Sequence, residues 1–261
     1  EDDVNTQALL EQTATLEIHS RAQGERQFTG FIAQAQYLET GQHYSQYQIT
    51  LRPPSWRLHF HQDARIFQSM TAPQVIKLIC DEHNIADIDL HFSVKYAEYE
   101  HLVMFDQDYY SFIQMLCVRE GITHFYNLAD NAAIWTFVDN TCTSTVGLVN
   151  NQQLLFNYTA AGQTPGAIAY KLQWQDQIGT TSITTRDNYF IKPYYNQEQV
   201  SITTDQNTPD SYPHYLFPGE QKTSAVGKAF TQHRLHASRV KTSTGTIHSN
   251  CIHMSAGEHF S

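Results

Sequence analysis

Residues 105–126 read FDQDYYSFIQMLCVREGITHFY, and two structural periods meet inside them. Tyr109, Phe112, Ile113, Leu116 and Cys117 recur at i, i+3, i+4, i+7 and i+8, which puts all five on one face of an α-helix. Asp106 or Asp108 stands where a side-chain oxygen caps the first free amides, and Gly121 stands where a left-handed residue closes the last turn. Phe125 and Tyr126 then open an aromatic strand.

Upstream, Thr71 to Asn84 reads as a second helix. Thr71 caps it, Pro73 is tolerated in its first turn, and Val75, Ile76, Ile79 and Cys80 share a face. A third runs from about Thr223 to Ser238, with Val226, Ala229, Phe230, His233 and Ala237 on one side, and packs onto a sheet. Elsewhere the period is two, which argues for half-buried strands. It is carried by Ala14, Leu16 and Ile18, by Ala33, Ala35 and Tyr37, and by Tyr47, Ile49 and Leu51. Ile88, Leu90, Phe92 and Val94 repeat it, as do Ile168, Tyr170, Leu172 and Trp174 before a turn at Gly179. The expected class is mainly β with α+β insertions.

Composition narrows the function. The chain has 261 residues, 41% of them hydrophobic, enough for a packed core and more than one small domain. Its net charge of -10 argues against a nucleic-acid partner. No run approaches the roughly 20 apolar residues of a membrane span, so stable membrane insertion is not expected. The opening EDDVNTQALLEQ lacks the basic-then-apolar order of a signal peptide, and the absence of an initial Met suggests that something upstream was removed.

No catalytic residue, metal ligand or cofactor site is expected. Cys80, Cys117, Cys142 and Cys251 form no CxxC pair and read as reduced thiols. His59 and His61 would share a face if they lay on a strand, His233 and His236 are three apart on a helix, and His248, His253 and His259 are close in sequence. None has the HExxH arrangement, so surface histidine is the preferred reading over metal binding. Asp87/Asp89, Glu98/Glu100 and Asp106/Asp108 are possible acid–base pairs. The first pair fits a strand's polar face and the last a helix N-terminus, where negative charge is favoured. The chain lacks GxSxG, GxxxxGK[ST] and GxGxxG motifs, and the sequon Asn157-Tyr158-Thr159 is a short match without secretory context.

A faint echo links Gly30-Phe31-Ile32-Ala33 and Gln48-Ile49-Thr50-Leu51-Arg52 with Gly166-Ala167-Ile168-Ala169 and Ser182-Ile183-Thr184-Thr185-Arg186, from which two hairpins built alike would follow. The order of motifs then points further. Phe105 to Phe112, Met115-Leu116, Arg119-Glu120-Gly121-Ile122 and Phe125-Tyr126 resemble the QY-x-E-S-D-x-x-F-x-x-R-L-x-E-E-G-I-x-Y-x-F signature of VgrG proteins, the spike of the type VI secretion system. Arg52-Pro53, Trp56, Leu58, Arg65-Ile66-Phe67-Gln68, Tyr212-Pro213, Phe217-Pro218-Gly219 and the stretch Ser255 to Phe260 follow in the family's order. Phe105, Gln107 and Met115 depart from it: the family often has Gln-Tyr, an acidic residue and Arg there.

The resemblance implies a structural hub without catalysis, similar to the baseplate hub of contractile phage tails. It implies a homotrimer in which each subunit carries two related antiparallel β-barrels, so that three subunits adapt to the six-fold Hcp tube. Other implied partners are baseplate proteins and effectors, and the implied location is the cytoplasm during assembly, followed by secretion or translocation into a target cell. The expected division is a first barrel over 1–60, an α/β domain with two helices over 61–131, a second barrel over 132–192 and 241–261, and a loop and helix insertion over 193–240. A prophage tail hub is the first alternative and a metal-dependent hydrolase using the histidines at 248–259 the second.

Overall fold

The computed structural model describes residues 4–21, 23–40, 44–129, 132–139, 146–147, 154–157, 167–188, 194, 196–203, 211–219, 221 and 223–259. A single turn, α1 (Thr6–Leu9), is capped by Asn5, whose Oδ1 accepts from the amides of Gln7 and Ala8. Three strands follow, β1 (Thr13–Ser20), β2 (Gly24–Thr40) and β3 (Ser45–Arg52), in the antiparallel order β1-β2-β3. The long β2 serves both neighbours, pairing with β1 up to Phe31 and with β3 from Phe31 onward. Its ladder with β3 slips at Ala33 and at Leu38, so the expected alternation of Ala33, Ala35 and Tyr37 is broken by bulges that bend the strand. A Cβ on Gly30 would lie 2.6 Å from the Arg52 carbonyl oxygen, so only glycine permits this approach of the two backbones. Among the described residues β1 does not pair with β3, and the sheet is open.

After a 3-10 helix at Pro54–Phe60, the α/β unit is built by β4 (Gln62–Met70), α2 (Ala72–Glu82), β5 (Ile88–His91), β6 (Tyr99–Asp108), α3 (Tyr109–Glu120), β7 (Thr123–Ala129) and β8 (Ala132–Val138). Both expected helices are present with their caps. Thr71 and Gln74 form a reciprocal capping box on α2, while the Asp108 carboxylate accepts the Ser111 amide at 2.8 Å on α3. Asp106 does not cap. It sits at φ 48° in a bulge where Phe105 and Asp106 face Ala64 across the β4–β6 ladder. Strand β5 is shorter than the alternation through Val94 predicts, because the Asp139 carboxylate takes the amides of Ser93 and Val94 at 2.6 and 2.9 Å and draws the chain out of the ladder.

The main core lies here. Phe112, Ile113 and Leu116 of α3 and Val75, Ile76 and Ile79 of α2 are fully buried among Leu58, Phe67, Met104, Trp135 and Phe137. Tyr110 stacks on Trp135 at 5.6 Å between ring centres. That packing explains where β8 goes. It joins the sheet β5-β8-β7, so residues 132–138 are hydrogen-bonded within the α/β unit and the expected boundary at 132 falls in the β7–β8 hairpin.

Beyond it lie β9 (Val146–Gly147), β10 (Leu155–Phe156), β11 (Ile168–Asp176), β12 (Ser182–Asp187), β13 (Gln197–Ile202), β14 (Pro213–Leu216), α4 (Ser224–Arg239), β15 (Ser243–Ser249) and β16 (Glu258–His259). They form the sheets β10-β11-β15 and β13-β12-β14, with β16 beside β9. The sequence echo of the β2–β3 hairpin is thereby corrected, for β11 and β12 enter different sheets. Strand β15 takes β11 as its antiparallel partner, while β13 and β14 flank β12. The segment 193–240, expected as loop and helix, thus supplies two strands as well. Helix α4 buries Gly227, Phe230, Thr231 and Leu235, a face rotated from the expected one, and Ala237 is exposed. Its contact is partly polar: Thr231 Oγ1 meets Thr185 Oγ1 at 2.6 Å and donates to the Gly227 carbonyl at 2.7 Å.

Candidate functional site

The residue types that chemistry would need are scattered. His59 lies in the 3-10 helix rather than on a strand, because Pro54 starts a helical turn and Leu58 anchors it in the core. Its Nδ1 is 3.3 Å from the Asp108 carboxylate and its ring lies on Tyr110. His61 turns instead to His83, with ring centres 4.5 Å apart. Burial first, and then the charge of His61, hold the His83 imidazole below its ordinary pKa. His233 Nδ1 donates to the Arg119 carbonyl, 3.2 Å away, while His236 is exposed on another side of α4. His253 meets the Gln23 carbonyl at 2.6 Å and His248 lies near Tyr170. Among the described residues no three His, Cys, Asp or Glu side chains are grouped to hold a metal ion.

The carboxylates are likewise taken up by the fold. Asp89 pairs with His91 at 2.7 Å, and Asp106 accepts from Gln62. Burial acts to raise the Asp108 pKa, but the Ser111 hydroxyl and amide, with His59, hold it below the ordinary value. Cys80 and Cys117 are buried in the core, and desolvation pushes both thiols up to about 12. Cys142 and most of the sequon at 157–159 lie outside the described residues.

One buried polar cluster has no signal in the hydrophobic pattern. The Arg119 guanidinium sits 4.8 Å from the ring centres of both Tyr99 and Phe230, and the Tyr99 hydroxyl donates to the Glu120 carboxylate. Burial raises the Glu120 pKa against the opposing pull of Tyr99, Arg119 and His233. The cluster joins α3 to α4, and Gly121 completes it: at φ 73° it packs so close to the His233 ring that a Cβ would lie 2.7 Å from Nε2. A second tie joins the chain's two ends. Arg26 of β2 donates to the carbonyls of Ile252 and Met254 and to Ser255 Oγ, while Gln23 bonds Asn250 and Ile252.

Among the described residues, apolar strand surface is left uncovered by the chain's own packing. Leu16 and Ile18 on β1 and Ile49 and Tyr37 across β2–β3 are exposed. So are Ile66, Val103 and Phe105 on the outer face of β4–β6. Leu172 pairs with Ile247 on β11–β15, and Trp174, 66% exposed, lies across Gly245 on the same face. Val200, Ile202 and Tyr215 are exposed on β13-β12-β14, opposite the side that α4 covers. Apolar side chains that adjoin one another on an open sheet face mark a surface suited to contact with another protein.

Comparison with known proteins gives this arrangement a family. The chain is 23% identical over 238 residues to the type VI secretion system spike protein VgrG2b of Pseudomonas aeruginosa, covering 90% of this chain and 23% of that one. It thus spans about a quarter of the length of the curated relative. Among solved structures it resembles the 43 kDa tail protein of prophage MuSo2 from Shewanella oneidensis, with TM-score 0.55 and 12% identity over 89% of this chain and 71% of the other. It also resembles an E. coli type VI secretion component described as similar to bacteriophage T4 tail proteins gp27 and gp5, with TM-score 0.53 and 16% identity over 67% of this chain and 46% of that one. These likenesses agree with a mostly β fold carrying a few helices. With its profile matching residues 1–261, the chain belongs to the phage tail baseplate hub (GPD) family.

Proposed function

We propose that this chain is the hub of a type VI secretion spike: a homotrimer that adapts three-fold symmetry to the six-fold Hcp tube and supports effector delivery into another cell. The observation that carries the reading is the uncovered apolar strand surface on β1-β2-β3, β4–β6, β11–β15 and β13-β12-β14, in a chain of a family built for assembly. Burying such faces stabilises association at roughly 25 cal/mol per Å². Two related β modules per subunit, one around β1–β3 and one around β10-β11-β15, would each close into a barrel and offer six similar units in the trimer. The division 1–60, 61–131, 132–192 with 241–261, and 193–240 is retained as a working proposal, with residues 132–138 moved to the middle unit on account of their pairing.

The role is structural and has no active site in this chain. Assembly would take place in the cytoplasm with baseplate proteins and effectors, followed by translocation; among the described residues no helix is long and apolar enough to cross a membrane. Electron microscopy of the chain mixed with Hcp rings tests this. Three subunits seated on one hexameric ring are expected, and free rings beside free chain at high concentration would refute it.

The likeness to a prophage tail protein over 89% of the chain favours one second reading, a contractile-tail baseplate hub of the same fold. Its coding neighbourhood would then hold tail genes in place of secretion genes. Stoichiometric zinc in the purified chain would instead revive the hydrolase reading based on the histidines at 248–259.

A further inference from the structure

The sheet β13-β12-β14 has two faces of different use. Helix α4 covers one, where Ile183 and Thr185 of β12 are buried. Side chains alternate along a strand, so Thr184 and Arg186 belong to the other face. There Thr184 lies between Val200 and Tyr215, and Arg186 stands across from Glu198. At the Arg186 end is a cleft of about 660 Å³, lined by Arg186, Asn188, Tyr194, Asn196, Tyr215 and Phe217. Its volume falls within the roughly 300–1,000 Å³ of small-ligand sites.

The frame of the cleft is fixed by backbone bonds. The Asp187 carboxylate accepts the amides of Asn188 and Gln221, both at 2.8 Å, and the Gly219 amide donates to the Arg186 carbonyl at 2.8 Å. These bonds hold the turn after β12 against the chain leaving β14. The lining side chains are in the opposite condition. No hydrogen bond, ion pair or ring contact among the described residues engages the Arg186 guanidinium, the side-chain amides of Asn188 and Asn196, or the rings of Tyr194, Tyr215 and Phe217. Arg57, Arg65 and Arg119, by contrast, are each met by a carboxylate or a ring.

Three bare rings beside planar donors and acceptors set the chemistry of the ligand. An aromatic face receives the C–H face of a pyranose ring, and guanidinium, amide and phenol groups supply partners for its hydroxyls. The single cation is offset by Asp187 and Glu198 nearby, so the cleft has no net positive charge to select a phosphate or a carboxylate. A wholly apolar ligand would leave the amides and the guanidinium desolvated without partners.

We propose that this cleft binds a neutral oligosaccharide, with sugar rings against Tyr194 and Tyr215 and hydroxyls bonded to Arg186, Asn188 and Asn196. The site goes beyond the hub reading and does not depend on it.

The test titrates the full chain with cellotetraose and with tetra-N-acetylchitotetraose by isothermal calorimetry, alongside saturation-transfer NMR on the sugar protons. Binding of at least one sugar is expected, and the one bound assigns the type of chain. Tyr194→Ala and Tyr215→Ala should each weaken it at least about fivefold and Arg186→Gln at least about threefold. Trp174→Ala, an exposed ring on another sheet, should leave it unchanged and so excludes indiscriminate stacking on aromatics. All four side chains are exposed, so circular dichroism should not move. Absence of saturation transfer from both sugars at millimolar concentration overturns the proposal, as does binding that survives the Tyr194→Ala/Tyr215→Ala double variant. Variants that lower self-association while sugar binding is absent assign the cleft to a protein contact and overturn it as well, leaving the hub reading intact.

Discussion

Gly121 carries two demands at once, a left-handed backbone at φ 73° and room for the His233 ring. Gly121→Ala meets neither, so a loss of about 2 kcal/mol or more in a denaturant titration is expected. Beside it, Glu120 has its pKa raised by burial, which fixes the sign of a pH effect. The folded state prefers the neutral carboxyl, so the stability this group allows is complete below its unfolded pKa and is lost as pH rises through the folded one. Glu120→Gln keeps a partner for the Tyr99 hydroxyl and cannot ionise. The stability of the wild type relative to this variant should therefore fall as pH rises above the ordinary glutamate range, and a pH-independent difference would contradict the assignment. The buried thiols make a further check. With pKa values near 12, Cys80 and Cys117 should resist alkylation in the native chain at neutral pH, as read by peptide mass spectrometry.

At the scale of elements, α2 and α3 were legible because period, cap and stop agree in each. Thr71→Ala removes a reciprocal cap and should cost about 1 kcal/mol by chemical denaturation, with the β4–β6 ribbon unchanged. α4 was legible as a helix but not in its orientation. Gly227 and Thr231 make its buried face through close approach and hydroxyl bonding, which an apolar stripe does not register. Arg119 and Glu120 escaped for a related reason: charged side chains at a helix end read as solvent-facing, and only the fold reveals the rings of Tyr99 and Phe230 around them. The bulges at Ala33, Leu38 and Asp106 are settled by the pairing of strands distant in sequence, as is the separation of β11 from β12.

Over the whole molecule, alternation identified which strand face is apolar but not what covers it. Leu16, Ile18, Leu172 and Trp174 obey the expected period and stay exposed in the single chain. That mismatch is the basis for reading the chain as a component of an assembly. Trp174→Glu should accordingly lower self-association while leaving the thermal midpoint of the monomer within a few degrees, since the side chain contributes little to the chain's own core. The most direct measurement is the native mass of the purified chain across rising concentration, by sedimentation or native mass spectrometry. A species of three times the chain mass is predicted, and a chain that is wholly monomeric at high concentration would contradict the account.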